Sequence, residues 1–166
     1  MYKRQGHATP WHQDGQYWPI RPLATCTVWL AVDDANEENG CLKFIRGSHR
    51  DKNLKQHEFN EDKNLTLHQE LLKSEFNEKE SVNLILKRGQ ISLHDVYLVH
   101  GSDANLSSKS RRGMTMRFMP TTSVFDHNLA KEKYNNLNVS KYSNRKIYLA
   151  RGFDKSKKND LAIVNF

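Results

Sequence analysis

A histidine and an aspartate stand two residues apart near the start of the chain, in TPWHQDGQYW (residues 9–18). If this stretch is a β-strand, its side chains alternate between two faces, so His12 and Asp14 point the same way and Gln13 points away. An imidazole and a carboxylate on one face are two ligands of a metal site that needs a third ligand. The pattern therefore predicts a metal centre that a distant residue completes.

Two histidines that end apolar strand segments, His94 and His100, are the candidates for this third ligand. A lone histidine in such a place is more often a hydrogen-bonded core residue than a ligand, so a further feature must decide. Arg111 follows His100 by eleven residues, at the start of the next strand. A hairpin would return its guanidinium to the metal side, whereas His94 has no such partner. Four other histidines lie in polar sequence and are expected at the surface: His7, His57, His68 and His127.

Two imidazoles and one carboxylate are the ligand set of non-haem Fe(II), which leaves one side of the metal open for a cosubstrate and oxygen. Zinc is the main competitor, because the same three ligands also serve catalytic zinc. A guanidinium beside the metal can hold a carboxylate through two hydrogen bonds. Since a zinc hydrolase does not require a second carboxylate-bearing molecule, Arg111 favours iron.

The elements that position these residues are predicted to be short strands separated by turns. TCTVWLAV (25–32) alternates as a strand, which places Thr27 and Trp29 on the same face. Residues 50–80 are predicted to be mostly a solvated excursion, with a short amphipathic helix within 65–76. Together with residues 15–24, this excursion is expected to shape a substrate pocket. Further strands are predicted at 41–45, 81–87, 90–94, 97–102 and 113–120. Many short strands with turn signals predict a mainly β jelly roll with a few short helices.

The composition limits the function classes. The chain has 166 residues and a net charge of +7, but its basic residues are scattered and no nucleic-acid-binding signature accompanies them, so we expect no nucleic-acid partner. No apolar run approaches the ~18 residues of a membrane span, so no membrane partner is expected. Cys26 and Cys41 follow no metal or redox spacing and are expected as free thiols. Without an apolar secretory segment, the expected location is cytoplasmic.

Three longer segments strengthen the metal-site hypothesis: PWHQDGQYW, TVWLAVDDANEENGCLKFIRGSH and KRGQISLHDVYLVHGSDANLSSKSRRGMTMRFMP. With them, most of residues 8–120 resembles the phytanoyl-CoA dioxygenase family of Fe(II)/2-oxoglutarate oxygenases. The motifs stand in the order in which the family has them, which makes the resemblance specific. It implies a double-stranded β-helix, the cupin-like form of the jelly roll.

The resemblance also implies roles for individual residues. The iron ligands are His12, Asp14 and His100, which agrees with the ligand set proposed above. The cosubstrate residues that it implies are Arg111 for the far carboxylate of 2-oxoglutarate, Ser102 for the hydroxyl beside it, and Trp29 for the pocket wall, joined by Thr27 on the same face. Arg112 and Arg117 are rivals for the carboxylate, and Arg117 has the same strand parity as Arg111.

The activity implied by the resemblance is hydroxylation of a small organic or acyl substrate, with O2 consumed and 2-oxoglutarate decarboxylated to succinate. A related halogenase is disfavoured, because it carries a small residue where this chain has Asp14. The alternative is an inactive or partial family member that acts as a ligand-binding or interaction protein.

Only eleven residues precede His12, so the N-terminal part of the family domain is expected to be missing. The chain is then a single oxygenase domain, residues 1–166, with a jelly-roll core at about 2–120 and a C-terminal tail at 121–166. Residues 2–8 are expected to be extended and paired within the sheet. The uncovered sheet surface would favour a homodimer.

Overall fold

The fold was determined as a computed structural model, which describes residues 2–3, 6–137 and 141–163. Twelve short strands account for most of its regular structure. They are, in chain order, β1 (Tyr2–Lys3), β2 (Thr9–His12), β3 (Ile20–Arg21), β4 (Cys26–Ala31), β5 (Leu42–Ile45), β6 (His57–Phe59), β7 (Gln69–Leu71), β8 (Ser81–Leu84), β9 (Ile91–Asp95), β10 (His100–Ser102), β11 (Arg111–Phe118) and β12 (Val124–Phe125).

Two four-stranded antiparallel sheets form the framework. The first sheet has the strand order β1-β11-β4-β9, and the second has the order β2-β10-β5-β8. Side chains of both sheets line one cavity, so the sheets face each other across it. This arrangement is the double-stranded β-helix that the sequence predicted. The strands predicted at 25–32, 41–45, 81–87, 90–94 and 113–120 are confirmed, with ends that differ by a few residues.

The alternation of β4 explains how the first sheet contributes to the interior. Thr27, Trp29 and Ala31 are buried, whereas Val28 and Leu30 between them are only half-buried. Trp29 and Ala31 pack with Ala35 and Cys41 in one cluster of the core. A period-2 pattern of this kind gives a strand one inner and one outer face, and here the inner face borders the cavity.

The helix predicted within residues 65–76 is wrong, whereas the segment 50–80 is mostly exposed or half-buried, as predicted. The segment contains a β-hairpin, in which β6 pairs with β7, and the expected helix within 65–76 is replaced by β7 and a 3₁₀ turn at Lys73–Glu75. Leu71 is 1% exposed and packs with Ile45 and Val99. The hairpin belongs to the packed structure because it buries apolar surface against the second sheet.

The C-terminal part contains a helix that the sequence did not predict, α1 (His127–Leu137). The Asp126 carboxylate caps its first turn by accepting hydrogen bonds from the backbone N–H groups of Asn128 and Leu129, at 3.0 and 2.9 Å. Ala130 packs against Trp18 in the same core cluster as β3 and β12. No helix in the described part of the chain is long and apolar enough to cross a membrane.

The N-terminal residues add an edge strand to the first sheet. In β1, Tyr2 pairs with Arg112 and Lys3 pairs with Arg111. Ala8 forms an isolated bridge to Leu65, outside the two large sheets. The prediction that residues 2–8 are extended and paired within the sheet is confirmed for Tyr2 and Lys3. It is wrong for Gly6 and His7, which belong to no strand, and residues 4 and 5 lie outside the described residues.

Candidate functional site

The two sheets bring the three predicted metal ligands together. His12 ends β2 and His100 begins β10, and the two residues are direct partners across the antiparallel pair. One ligand atom from each of His12, Asp14 and His100 lies within 4.8 Å of the others, and all three residues are buried. A metal ion can therefore contact all three side chains at once.

Asp14 reaches this point by a turn and not by a strand, which corrects the prediction. The strand ends at His12, Gln13 is extended, and Asp14 opens a 3₁₀ helix, Asp14–Gln16. Gln13 does point away, since its side chain donates to the carbonyl oxygens of Asn53 and Tyr97, at 3.0 and 2.7 Å. These hydrogen bonds anchor the residue between the two ligands.

Backbone carbonyls hold the two histidine rings in one orientation. Nδ1 of His12 lies 2.8 Å from the carbonyl oxygen of Pro10, and Nδ1 of His100 lies 2.8 Å from that of Leu98. A carbonyl oxygen only accepts, so Nδ1 carries a proton in both rings, and Nε2 is the nitrogen that remains for a metal ion. Metal-binding histidines commonly have this arrangement. Burial, together with the nearby His100, lowers the pKa of His12 to about 3, so its imidazole is neutral at physiological pH.

Besides His12, whose Nε2 lies 3.9 Å from Oδ1, three further groups surround the Asp14 carboxylate. Thr27 donates a hydrogen bond from Oγ1 to Oδ2 at 2.9 Å, Nε2 of His94 lies 3.9 Å from Oδ2, and Nη2 of Arg117 lies 3.6 Å from Oδ1. Burial by itself raises the pKa of Asp14, but His100 and Arg117 outweigh it and hold the pKa below its usual range. Asp14 is therefore an ionised carboxylate, as a metal ligand must be.

His94 is a further imidazole beside the three ligands. Its ring centroid lies 4.9 Å from that of His100, and it lines the same cavity. The ligand atoms that lie close enough together to share one metal ion belong to His12, Asp14 and His100. The choice between His94 and His100 thus agrees with the geometry, although both rings border the site.

Arg111 is a buried cation without an acidic partner among the described residues. It is 1% exposed, and its Nε and Nη2 atoms have no hydrogen-bond partner. Its Cζ lies 5.6 Å from the centroid of the Trp29 ring. Burial lowers the pKa of Arg111 to about 10, so the guanidinium is still protonated at neutral pH. A buried charge is costly unless it is paired, so Arg111 is suited to an anion that enters the cavity.

The rival arginines lie elsewhere. Arg112 faces outwards, where its Nε and Nη2 atoms donate to the two carboxylate oxygens of Asp33, at 2.8 and 2.7 Å. Arg117 lines the cavity near Asp14, and its side chain is 30% exposed. Ser102 is buried on β10, but it is not among the residues that line the cavity, whereas Arg111 is.

The cavity has a volume of about 270 Å³. Tyr17 and Trp18 line it from the predicted segment 15–24, and residues 66–69 line it from the predicted segment 50–80. His68 therefore borders the cavity and is half-buried, contrary to its predicted surface position. His57 and His127 are half-buried too, while His7 is exposed as predicted. Tyr142 completes the lining from the C-terminal part, and no pattern in the sequence pointed to it.

Comparison with known proteins gives the family. The family profile described as phytanoyl-CoA dioxygenase (PhyH) matches residues 1–113, which include all three metal-ligand candidates and Arg111. A Caenorhabditis briggsae protein named phytanoyl-CoA dioxygenase domain-containing protein 1 homolog is 33% identical over 120 residues, which are 69% of this chain and 41% of that protein. The chain thus spans about two fifths of this relative.

Solved structures share the fold. The structure of EvdO2 from Micromonospora carbonacea var. aurantiaca complexed with 2-oxoglutarate has a TM-score of 0.60 and 27% identity, and the match covers 70% of this chain and 47% of that one. ThoJ, described as a non-heme monooxygenase, has a TM-score of 0.62 and 23% identity, over 74% of this chain and 45% of that one. Fold and sequence agree, and the chain belongs to the phytanoyl-CoA dioxygenase family.

Proposed function

We propose that this chain is an Fe(II)- and 2-oxoglutarate-dependent dioxygenase that hydroxylates a small organic or acyl substrate. His12, Asp14 and His100 would hold the iron, and 2-oxoglutarate would be the cosubstrate. The ligand set fits the metal, because two imidazoles and one ionised carboxylate converge in a buried site. The relationship to EvdO2, whose structure is described as a complex with 2-oxoglutarate, supports the cosubstrate.

The observation that carries this proposal is the unpaired guanidinium of Arg111. The side chain is buried in the same cavity as the three ligand candidates, with two nitrogen atoms that lack hydrogen-bond partners. A metal site alone does not explain a buried cation beside it. A dicarboxylic cosubstrate does, because one end can reach the metal while the other carboxylate binds the guanidinium.

Each residue of the site has a defined task in this proposal. When bound, Fe(II) would activate O2 as 2-oxoglutarate is decarboxylated to succinate. Thr27 orients the Asp14 carboxylate through its 2.9 Å hydrogen bond, and Trp29 walls the space beside Arg111. Ser102 is not among the residues that line the cavity. Its predicted contact with the cosubstrate is therefore kept as a proposal.

The partners proposed for the chain are a small-molecule substrate, 2-oxoglutarate and O2. Neither nucleic acid nor a membrane is part of this proposal, and a cytoplasmic location stays a prediction from the sequence. Fold analogy alone does not decide between an active enzyme and an inactive family member, whereas the site does. The ionised Asp14 and the unpaired Arg111 favour activity.

The substitution Arg111→Lys tests whether Arg111 binds 2-oxoglutarate. Arg111→Lys keeps the charge but replaces a two-pronged donor with a point charge, so the Kd for 2-oxoglutarate should rise by about tenfold or more. Arg112→Lys is the matched control, because the neighbouring guanidinium already binds Asp33 outside the cavity, and its Kd should not change. The Kd is read from the absorption of the anaerobic Fe(II) complex. If Arg111→Lys keeps the wild-type Kd while Arg117→Lys loses affinity, the role belongs to Arg117.

A further inference from the structure

A second cavity, of about 440 Å³, lies beside the cavity of the candidate site. We call it the rear cavity. Its walls come mainly from β5, from the turn at residues 46–50 and from β9. Leu42, His94 and His100 line both cavities, so the two are neighbours across these side chains. The volume is within the range of about 300–1,000 Å³ that small-molecule sites usually have.

The rear cavity is separate from the space in which the reaction is proposed to occur. His12, Asp14 and Arg111 line the first cavity but not the rear one. Leu98 lines only the rear cavity, and its carbonyl oxygen lies 2.8 Å from Nδ1 of His100. A ligand in the rear cavity therefore reaches the His100 ring from the side of Leu98, whereas a metal ion would bind Nε2. Such a ligand is not expected to react.

Two buried polar atoms on residues that line the rear cavity have no hydrogen-bond partner in the described part of the chain. They are Oγ of Ser92, on β9, and Nδ1 of His49, in the turn that follows β5. Buried polar groups are normally hydrogen-bonded, so each exception calls for an explanation. A hydroxyl and an imidazole nitrogen can both donate a hydrogen bond. A polar ligand in the cavity would supply the missing partners.

Two exposed arginines, Arg46 and Arg50, also line the rear cavity. Among the described residues, no carboxylate lies within 4.0 Å of a charged nitrogen of either one. Lys43 lines the cavity too, but it is already paired with a carboxylate. The Asp95 carboxylate in the lining accepts a hydrogen bond from the backbone N–H of Tyr97 at 2.8 Å. The two guanidinium groups are therefore available to an anion.

The turn that carries His49 and the two arginines is fixed by hydrogen bonds. The Ser48 hydroxyl donates to the carbonyl oxygen of Ile45 and accepts from the backbone N–H of Val99, both at 2.9 Å. Gly47 has a φ of +76°, which side-chain-bearing residues rarely adopt. The remaining walls are apolar, with the half-buried side chains of Phe44, Leu84 and Leu98. The cavity is therefore preformed, and it suits a ligand that has a charged group and an apolar part.

We propose that the rear cavity is a second ligand site, which binds a small organic carboxylate that does not react. Arg46 and Arg50 bind the carboxylate group. Ser92 and His49 donate further hydrogen bonds, and the apolar walls contact the rest of the ligand. Charge complementarity favours this ligand, because a neutral molecule would leave both guanidinium groups without a counter-charge. The inference goes beyond the proposed function and does not depend on it.

Benzoate is a suitable probe, because it joins a carboxylate to a compact apolar ring. Its binding to the full chain is measured by calorimetry under anaerobic conditions, with Fe(II) and 2-oxoglutarate present to compete for Arg111. Arg46→Gln/Arg50→Gln should raise the Kd by about tenfold or more, because charge-assisted hydrogen bonds are lost. Arg88→Gln is the matched control, since Arg88 is also exposed but does not line the cavity.

Ser92→Ala tests the deeper part of the site. The Kd for benzoate should rise by about threefold to tenfold, as expected for the loss of one hydrogen bond. The free energy of unfolding should not fall, because the hydroxyl has no protein partner to lose. Urea denaturation measures the stability. A variant that is less stable but binds benzoate like the wild type would show that the hydroxyl has a structural role instead, which contradicts the proposal.

The proposal is overturned if the wild type does not bind benzoate, or if Arg46→Gln/Arg50→Gln binds it as tightly as Arg88→Gln does. It is also overturned if the uncharged benzamide binds as tightly as benzoate, or if inorganic phosphate does, because the charge or the apolar part would then not be recognised. Loss of benzoate binding in Arg111→Lys alone would place the probe in the first cavity, with the same consequence. The Fe(II)–2-oxoglutarate absorption of the same samples tests the proposed function separately, so the two failures are distinguishable.

Discussion

Trp29 and Gly113 show how closely the space beside Arg111 is packed. A Cβ atom built on Gly113 would overlap the indole of Trp29, with Nε1 only 2.8 Å away. Strand β11 therefore needs a residue without a side chain at this point, two positions after Arg111. The indole occupies that space and in turn contacts the guanidinium.

Gly113→Ala should consequently damage both stability and cosubstrate binding. Overpacking of this kind costs about 1–3 kcal/mol in the free energy of unfolding, and a displaced Trp29 no longer supports Arg111. Chemical denaturation and the Kd for 2-oxoglutarate measure the two effects. Trp29→Phe in the same background makes room for the methyl group and should restore part of the lost stability. An alanine variant with wild-type stability would show that the indole does not limit this position.

The choice among the three arginines was only partly predictable from the sequence. Strand parity put Arg111 and Arg117 on the same side of β11 and Arg112 on the other, which the structure confirms. Strand parity does not predict burial, however. Arg111 is buried whereas Arg117 is partly exposed, and this difference distinguishes the two arginines. That difference arises from the packing of Trp29 and β1, which involves residues far apart in the chain.

Among the elements, the hairpin β6–β7 has the clearest structural role outside the two large sheets. Tyr17 donates a hydrogen bond from its hydroxyl to the carbonyl oxygen of Gln69 at 2.8 Å, which joins the turn after the metal-ligand motif to β7. Leu71 fills the space between this hairpin and the second sheet. The hairpin thus closes one side of the cavity.

Leu71→Ala should destabilise the protein by about 2–5 kcal/mol, as large-to-small substitutions in a packed core do. Leu106→Ala is the control, since the side chain of Leu106 is 89% exposed and should leave the free energy of unfolding nearly unchanged. Both values are measured by urea denaturation. Equal stability of the two variants would mean that the hairpin is not part of the cooperative core.

Regular alternation made the large sheets predictable, while the hairpin and α1 were not. In β4 every second side chain is buried (Thr27, Trp29 and Ala31), so the predicted alternation and the structure agree. The segment 57–71 has many charged residues and leucines at spacings that also fit a helix, and its strands depend on contacts with Tyr17 and Ala8 that no local pattern reveals. Asp14 lies in a turn and not in the predicted strand for the same reason, since contacts with residues on other elements determine its position.

On the scale of the whole molecule, the outer face of the first sheet is apolar and uncovered. Ile91, Leu93 and Met114 are 53%, 63% and 50% exposed. They surround the half-buried Val28 and Leu30 on the central strand β4. A contiguous apolar surface of this kind favours association between protein chains. The homodimer expected from the sequence is therefore retained as a prediction.

Leu93→Lys should weaken this self-association, because burial of a lysine in an apolar contact is costly. Sedimentation equilibrium over a range of concentrations measures the effect, and Leu106→Lys is the control because Leu106 lies in the loop that follows β10. The wild type should associate as its concentration rises, and Leu93→Lys should remain monomeric over the same range. A wild-type protein that is monomeric throughout would show that this face is not a contact between copies.

The most direct test of the central claim is an anaerobic titration of the purified chain with Fe(II) and 2-oxoglutarate, followed by the metal-to-ligand absorption band of the ternary complex. The wild type should develop the band with saturable dependence on both components. Asp14→Ala should lose it while its circular dichroism spectrum remains that of the folded protein, because only the carboxylate of the ligand set is removed. A folded wild-type chain that develops no band, or an Asp14→Ala variant that develops it with wild-type affinity, would contradict the assignment of His12, Asp14 and His100 as an iron site.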